Sequence, residues 1–314
     1  MITEINGMKT HHDWSRVILL TTLLGTLIPQ DGVACDTEAT VSRLGNATYT
    51  GIEDEPVSLT QGRWEGAPYV EGGASRPGVG LIEELQFTGD LDADDENETV
   101  AMLWQGSGGT GSNVYIAVME SRPDGYENIS TALLGDRVKI RDGKIESGQI
   151  ILDVLQAGEN DAMCCPTMLA TRSWILKDGQ LVEDEIHMTG ELSLGAVEGS
   201  NWVLAHMNLD QPLPEDAEVT LAIEAGRISG KSACNRYSAD IKEGDNPGDI
   251  SIGPAMGTRM ACPEPLMEIE KQYLEMLAQV TSFSFHVGQL ALIGRKGDGA
   301  PFTMLFTPEA TAHQ

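Results

Sequence analysis

The stretch SGKSACNRYSAD, residues 229–240, holds the residue types closest to chemistry: a thiol at Cys234, followed directly by Asn235, Arg236 and Tyr237. A cysteine in such a place can be a nucleophile, a metal ligand or half of a disulfide, and each role needs different company. A nucleophilic thiolate needs a lowered pKa and commonly a histidine partner. The histidines available beyond the N-terminal segment are His187, His206, His286 and His313, and none sits in a nucleophile motif. A structural zinc site needs further Cys or His ligands at close spacing, and the chain has no C-x-x-C. The neighbouring Arg236, with Arg259 of TRMACP, offers two guanidinium forks that can bind a small anion or carboxylate together with Asn235 and Tyr237. The bland alternative is that the two arginines pair with nearby carboxylates or carbonyls and hold their loops.

A second set of chemically suggestive residues is acidic. In GDLDADDENETVAML, Asp90, Asp92 and Asp94 alternate and Glu98 precedes an apolar run. Oxygen ligands so spaced resemble the D-x-D-x-D loops that wrap a calcium ion. Asp95 stands where such loops place glycine, and no twelfth-position glutamate of the EF-hand kind follows, so a solvated acidic turn is the competing reading. The glycine-rich WQGSGGTGSN, residues 104–113, fails as a phosphate cradle because no lysine follows the glycines and a strand, not a helix, comes next. It is read as a hairpin loop. Adjacent Cys164 and Cys165 can close on each other, bridge outward, or bind a soft metal.

The elements that must position these residues are mostly strands. Short β-rich runs separated by turn signals begin near residue 47, the pattern of an antiparallel all-β domain. NVYIAVME, residues 113–120, is apolar on both faces and is expected to be a central strand. Asp142-Gly143 and Asp178-Gly179 each suit a two-residue hairpin turn. The polar, glycine-containing stretch 188–200 is the expected domain boundary. Beyond it, SFSFHVGQLALI predicts a hairpin turning at Gly288-Gln289. One helix is expected over 263–280, where Leu266, Ile269, Tyr273, Leu277 and Val280 share a face; Pro263 suits its first turn, and Glu264, Glu268 and Glu270 suit its positive end.

Charge and the N-terminus bound location and partners. The formal charge is −28 with a pI near 4.4, which disfavours a phosphate backbone or an anionic membrane surface as partner because no basic excess releases counterions. Lys9, His11, His12 and Arg16 precede the apolar run Val17 to Ile28, too short to span a bilayer but suited to a signal-peptide core. Gly32 and Ala34 suit cleavage before Cys35, giving a signal peptide over 1–34 and a tether over 35–47. The segment resembles the bacterial lipoprotein signal, with Gly32 where leucine is usual. That resemblance implies acylation of Cys35, membrane contact by this anchor only, and a periplasmic location, with Asp36 resembling an inner-membrane retention signal.

From Trp202 to Phe306 the chain resembles the META domain, the family of the heat-shock protein HslJ. The resemblance is carried by NWVL at 201–204, GRISGKSACNRYSADI at 226–241, ISIGPAMGTRMACP at 250–263, the following helix with Glu270, and QLALIG before TMLFTP. Ser232-Ala233 departs from it where a second glycine is usual. The resemblance implies a sheet packed by one helix over residues 200–308 and a disulfide between Cys234 and Cys262, both of which belong to the family pattern. Once those two are paired and Cys35 is acylated, parity favours Cys164 with Cys165. The region 48–190, from ATYTGI to CCP and beyond, looks like the β-rich part found ahead of META domains in envelope proteins. The fold class is therefore mainly β, in two domains. The implied function is non-enzymatic, in stress or antibiotic tolerance or envelope integrity. A calcium-dependent or small-anion binding module and an enzyme of unknown reaction are the alternatives.

Overall fold

The computed structural model describes residues 31–309 apart from Thr110, Asn160, Met163, Asp210 and Glu215, and only the backbone of 31–36. The expected signal segment lies outside the described residues as far as residue 30, and nothing is described of the Cys35 side chain. A helix α1, Asp31–Leu44, comes first. The helix takes in residues 35–44 of the stretch expected as a tether over 35–47. Val41 and Leu44, three apart, give the helix an apolar edge, and Leu44 is fully buried. Tyr49 Oη donates to the Leu44 carbonyl, while Arg43 donates to the carbonyls of Arg122 and Gly125 and lies over the Tyr126 ring.

From Ala39 onward the chain is one compact unit. A small hairpin, β1 (Thr48–Tyr49) with β2 (Val57–Ser58), precedes a five-stranded antiparallel sheet of β3 (Arg63–Glu65), β4 (Gly78–Gly89), β5 (Glu98–Gly106), β6 (Asn113–Arg122) and β7 (Gly125–Asp136). A four-stranded sheet follows: β8 (Lys139–Glu146), β9 (Gln149–Gln156), β10 (Met168–Lys177) and β11 (Gln180–Glu191). Alternation along each strand divides the side chains between two cores. Val100, Met102, Ile116 and Val118 meet Ile150, Leu152, Val154 and Trp174 of the second sheet. Ala101, Leu103, Tyr115, Ala117 and Met119 point the other way, beneath Leu44 and the β1–β2 hairpin. The central strand β6 is covered on both faces, as its composition requires.

The hairpin at Asp178-Gly179 forms where expected, with both residues at positive φ, 51° and 72°. The one expected at Asp142-Gly143 does not. Those residues lie inside β8 beside a register shift, and the turn falls at Ser147-Gly148, at φ 54° and 75°. Gly143 serves close packing instead: a Cβ there would stand 2.4 Å from Phe87 Cζ and 2.6 Å from Leu152 Cδ2.

After β11 a short 3₁₀ turn, Leu194–Ala196, leads to the second half. There β12 (Asn201–Asn208), β13 (Gln211–Pro212), β14 (Thr220–Glu224), β15 (Arg227–Ser232), β16 (Asn235–Glu243), β17 (Ile250–Ile252) and β18 (Met256–Gly257) precede the helix α2 (Glu264–Leu277). The strands β19 (Val280–His286), β20 (Gln289–Arg295) and β21 (Pro301–Pro308) complete a ten-stranded sheet, with main order β17-β16-β15-β14-β12-β21-β20-β19. Its end strands approach through an Asp249–Ser282 bridge, giving a nearly closed barrel. Helix α2 buries Tyr273, Met276 and Leu277 in that barrel's core, and Pro263 caps it one residue before the first turn. The β19–β20 hairpin turns at Val287-Gly288, φ 47° and 75°, one residue earlier than expected. Leu155 of β9 and Leu169 of β10 join the barrel's core, so the two halves share apolar contacts.

Candidate functional site

The residues around Cys234 are consumed by the fold. Ala233 takes a left-handed φ of 66°, the conformation glycine adopts most readily, which gives a backbone reason for the glycine usual at this place. That turn aims Cys234 at Cys262, and the two form a disulfide with Cα atoms 5.9 Å apart. Closing a loop of this size contributes about 3–4 kcal/mol on the chain-entropy account.

Beside the staple lies a polar clamp between β16 and α2. Glu270 Oε2 accepts from the Asn235 backbone N–H at 2.7 Å and lies 2.9 Å from Ser232 Oγ; its Oε1 accepts from Asn235 Nδ2 at 3.0 Å. Asn235 Oδ1 in turn accepts from Met260 N at 2.7 Å and from Thr258 Oγ1 at 2.8 Å. The buried Asn235 side chain thus ties β16 to the segment carrying Cys262 and, through the carboxylate, to the helix. Sequence reasoning placed Glu270 at the helix dipole and missed this role. The available signal was a carboxylate one residue after Ile269 and three before Tyr273, at the margin of the helix's apolar face.

Tyr237 is likewise spent inward. Its hydroxyl donates to the Thr220 carbonyl at 3.1 Å and accepts from Tyr273 Oη at 2.6 Å, with the rings edge-on at 5.4 Å. Burial pushes both phenols above the ordinary tyrosine pKa. Strand alternation puts Arg236 on the opposite face, opposite Lys231 of β15 and exposed. Arg259 is also exposed, and neither guanidinium makes an ion pair among the described residues. Of the four residues expected around an anion, two are buried in the scaffold and two stand on the surface.

The acidic turn between β4 and β5 does gather oxygens. One carboxylate oxygen each of Asp90, Asp92 and Glu98 lie within 4.8 Å of one another. Asp90 accepts from Ala93 N and Asp95 N, and Glu98 Oε2 accepts from Leu91 N at 2.8 Å. Asp95 adopts φ 69°, doing with an aspartate what a glycine does in such loops. Asp94 is turned to Glu96 N, outside the trio. Glu98 is 4% exposed; burial, then the charges of Asp92 and Asp94, push its pKa above the usual glutamate value despite the bond from Leu91. Oxygen-only ligands of this kind suit a hard cation such as calcium.

Cys164 and Cys165 form a vicinal disulfide on an exposed loop that Asp161 organises by accepting from Gly158 N, Thr167 N and Thr167 Oγ1. A cavity of about 650 Å³ separates β8 and β9 from the barrel; Arg141, Asp142, Asp153, Trp202 and Phe285 are among its lining. Arg141 latches across it, donating to the Ala196 carbonyl and stacking on Phe285.

Residues 195–305 match the model of the META domain family. No curated protein matches the chain. Two solved structures are similar over 37% of it: one titled the NMR structure of a protein from Burkholderia xenovorans, 27% identical over 86% of that chain, and a second NMR structure, 24% identical over 94% of its chain, each with a TM-score of 0.31.

Proposed function

We propose that this META-domain protein is an exported, lipid-anchored envelope protein acting without catalysis, as a binding or stabilising module in stress or antibiotic tolerance or envelope integrity. The observation that carries the reading is that the reactive groups of the motif are committed to architecture. Cys234 is paired with Cys262, Glu270 and Asn235 clamp the helix to the sheet, and Tyr237 and Tyr273 bond each other. Disulfides persist in oxidising compartments, which supports export. The role in tolerance rests on the family resemblance.

The test is cellular. Labelling with a fatty-acid analogue should mark the protein and not its Cys35→Ser variant, and a strain lacking the protein should lose growth under envelope stress. The strain should be rescued by the parent chain and by a chain with Arg236 and Arg259 both changed to Ala, unless those two exposed arginines bind the relevant anion. Unlabelled protein, or growth that never depends on it, sinks the proposal.

A second reading has a specific observation behind it: the trio of Asp90, Asp92 and Glu98 makes a calcium-dependent module. Added calcium then raises the melting temperature of the parent and not of Asp90→Ala. Equal melting of both with calcium or with chelator ends it.

A further inference from the structure

Two adjoining cavities at the seam between β8 and the barrel share two residues, Lys139 and His286. The smaller, about 240 Å³, has apolar walls that include Ile82, Trp104, Val114 and Val287. The larger, about 540 Å³, runs over the outer face of β19–β21 past Ala291, Ile293 and Leu305 to the Cys164–Cys165 loop. The larger alone falls in the size range of small-molecule sites, which are largely apolar with a few polar groups that fix orientation.

Lys139 is the unusual group. It is half-buried, and its ammonium makes no hydrogen bond or ion pair among the described residues. This contrasts with Arg172, which is bound by Glu183. The ammonium still reaches water, and its charge is free to pair with an anion that enters the cavity. Burial and the nearby Arg137 charge hold the Lys139 pKa below the usual lysine value, and the crowding walls and Lys139 itself do the same to His286, offset in part by Glu84. Arg137 is engaged by Asp136. The acid in the larger cavity's lining, Asp249, accepts from Asn246 Nδ2. In a chain with 48 acidic and 20 basic residues, a concave spot whose lining holds a lysine with no acidic partner is a local exception.

We propose that these adjoining cavities bind a small amphiphilic monocarboxylate, its apolar body in the smaller cavity and its carboxylate against Lys139, which lines both. A neutral apolar guest would leave the ammonium unpaired. A multiply charged anion would meet one uncommitted lysine inside a strongly acidic chain. A single carboxylate on an apolar body answers both constraints, and Lys139 can offer it a charge-assisted hydrogen bond.

The experiment titrates the protein with sodium octanoate and, separately, with 1-octanol, following binding by calorimetry and the His286 imidazole by NMR. The proposal expects saturable octanoate binding that moves the His286 signals and is about tenfold or more tighter than octanol, the difference a charge-assisted bond supplies. Lys139→Met should abolish the preference, and Lys139→Arg should restore most of it. Octanoate that does not saturate, octanol that binds as tightly, or binding that leaves His286 unmoved overturns the proposal. The octanoate–octanol comparison on the parent chain decides the matter even where Lys139→Met proves unstable.

Discussion

Replacing Glu270 by alanine tests the clamp between β16 and α2. The substitution strips the acceptor from the Asn235 backbone N–H and from Asn235 Nδ2, while Ser232 Oγ keeps the Asn235 carbonyl at 2.9 Å. A hydrogen bond to a charged group contributes about 1.5–3 kcal/mol net. Two are lost, but Glu270 is only half-buried, so water recovers part of the cost. The expected destabilisation is about 2–4 kcal/mol, equivalent for a chain of this size to a melting temperature lower by roughly 5–15 °C. Glu270→Gln retains one acceptor and should lose less. Exposed Glu268, two residues earlier on the same helix, provides the control, and its alanine variant should stay within about 0.5 kcal/mol of the parent. Urea unfolding of the oxidised protein followed by circular dichroism reads all three. A Glu270→Ala midpoint indistinguishable from that of Glu268→Ala would refute the clamp.

Other expectations follow from the same structure. Without calcium, the raised pKa of Glu98 means that the folded state holds a proton the unfolded chain has released, so this residue's contribution to stability falls as pH rises above the ordinary glutamate range; Glu98→Gln should flatten that part of the Tm–pH curve, and an unchanged curve contradicts it. Gly143→Ala should destabilise by about 1–3 kcal/mol through overpacking against Phe87 and Leu152, measured by urea unfolding. Alkaline titration followed in the ultraviolet should show Tyr49, Tyr237 and Tyr273 ionising above the ordinary tyrosine range, since burial opposes their phenolates; ionisation of these three within the ordinary range in folded protein contradicts it.

What could be read in advance divides along physical lines. Strands with local alternation, the amphipathic helix and the Asp178-Gly179 turn are set by neighbours in sequence and formed, although the helix ends at Leu277 and Val280, expected on its apolar face, opens β19. Asp142-Gly143 misled because a glycine can answer a packing demand as well as a conformational one, and Phe87, the residue that makes the demand, lies far off in the chain. The helical course of residues 36–44 was hidden because its partners, the β6–β7 turn carbonyls and Tyr126, come some eighty positions later. The cysteines of the motif were legible, whereas Glu270's attachment to Asn235 was not, since the two residues are 35 apart; the helix dipole expected to explain Glu270 reaches only Glu264, in the first turn. Lys139 and His286 carried no sequence signal; the seam that makes them neighbours exists only in the assembled sheets.

The central claim is that the cysteine motif is a scaffold held by the Cys234–Cys262 disulfide. Non-reducing peptide mapping of protein taken from cells, with free thiols blocked at lysis, tests it most directly. The account predicts the Cys234 peptide covalently joined to the Cys262 peptide, with negligible blocked thiol at either position. Recovery of Cys234 chiefly as a blocked free thiol would contradict it.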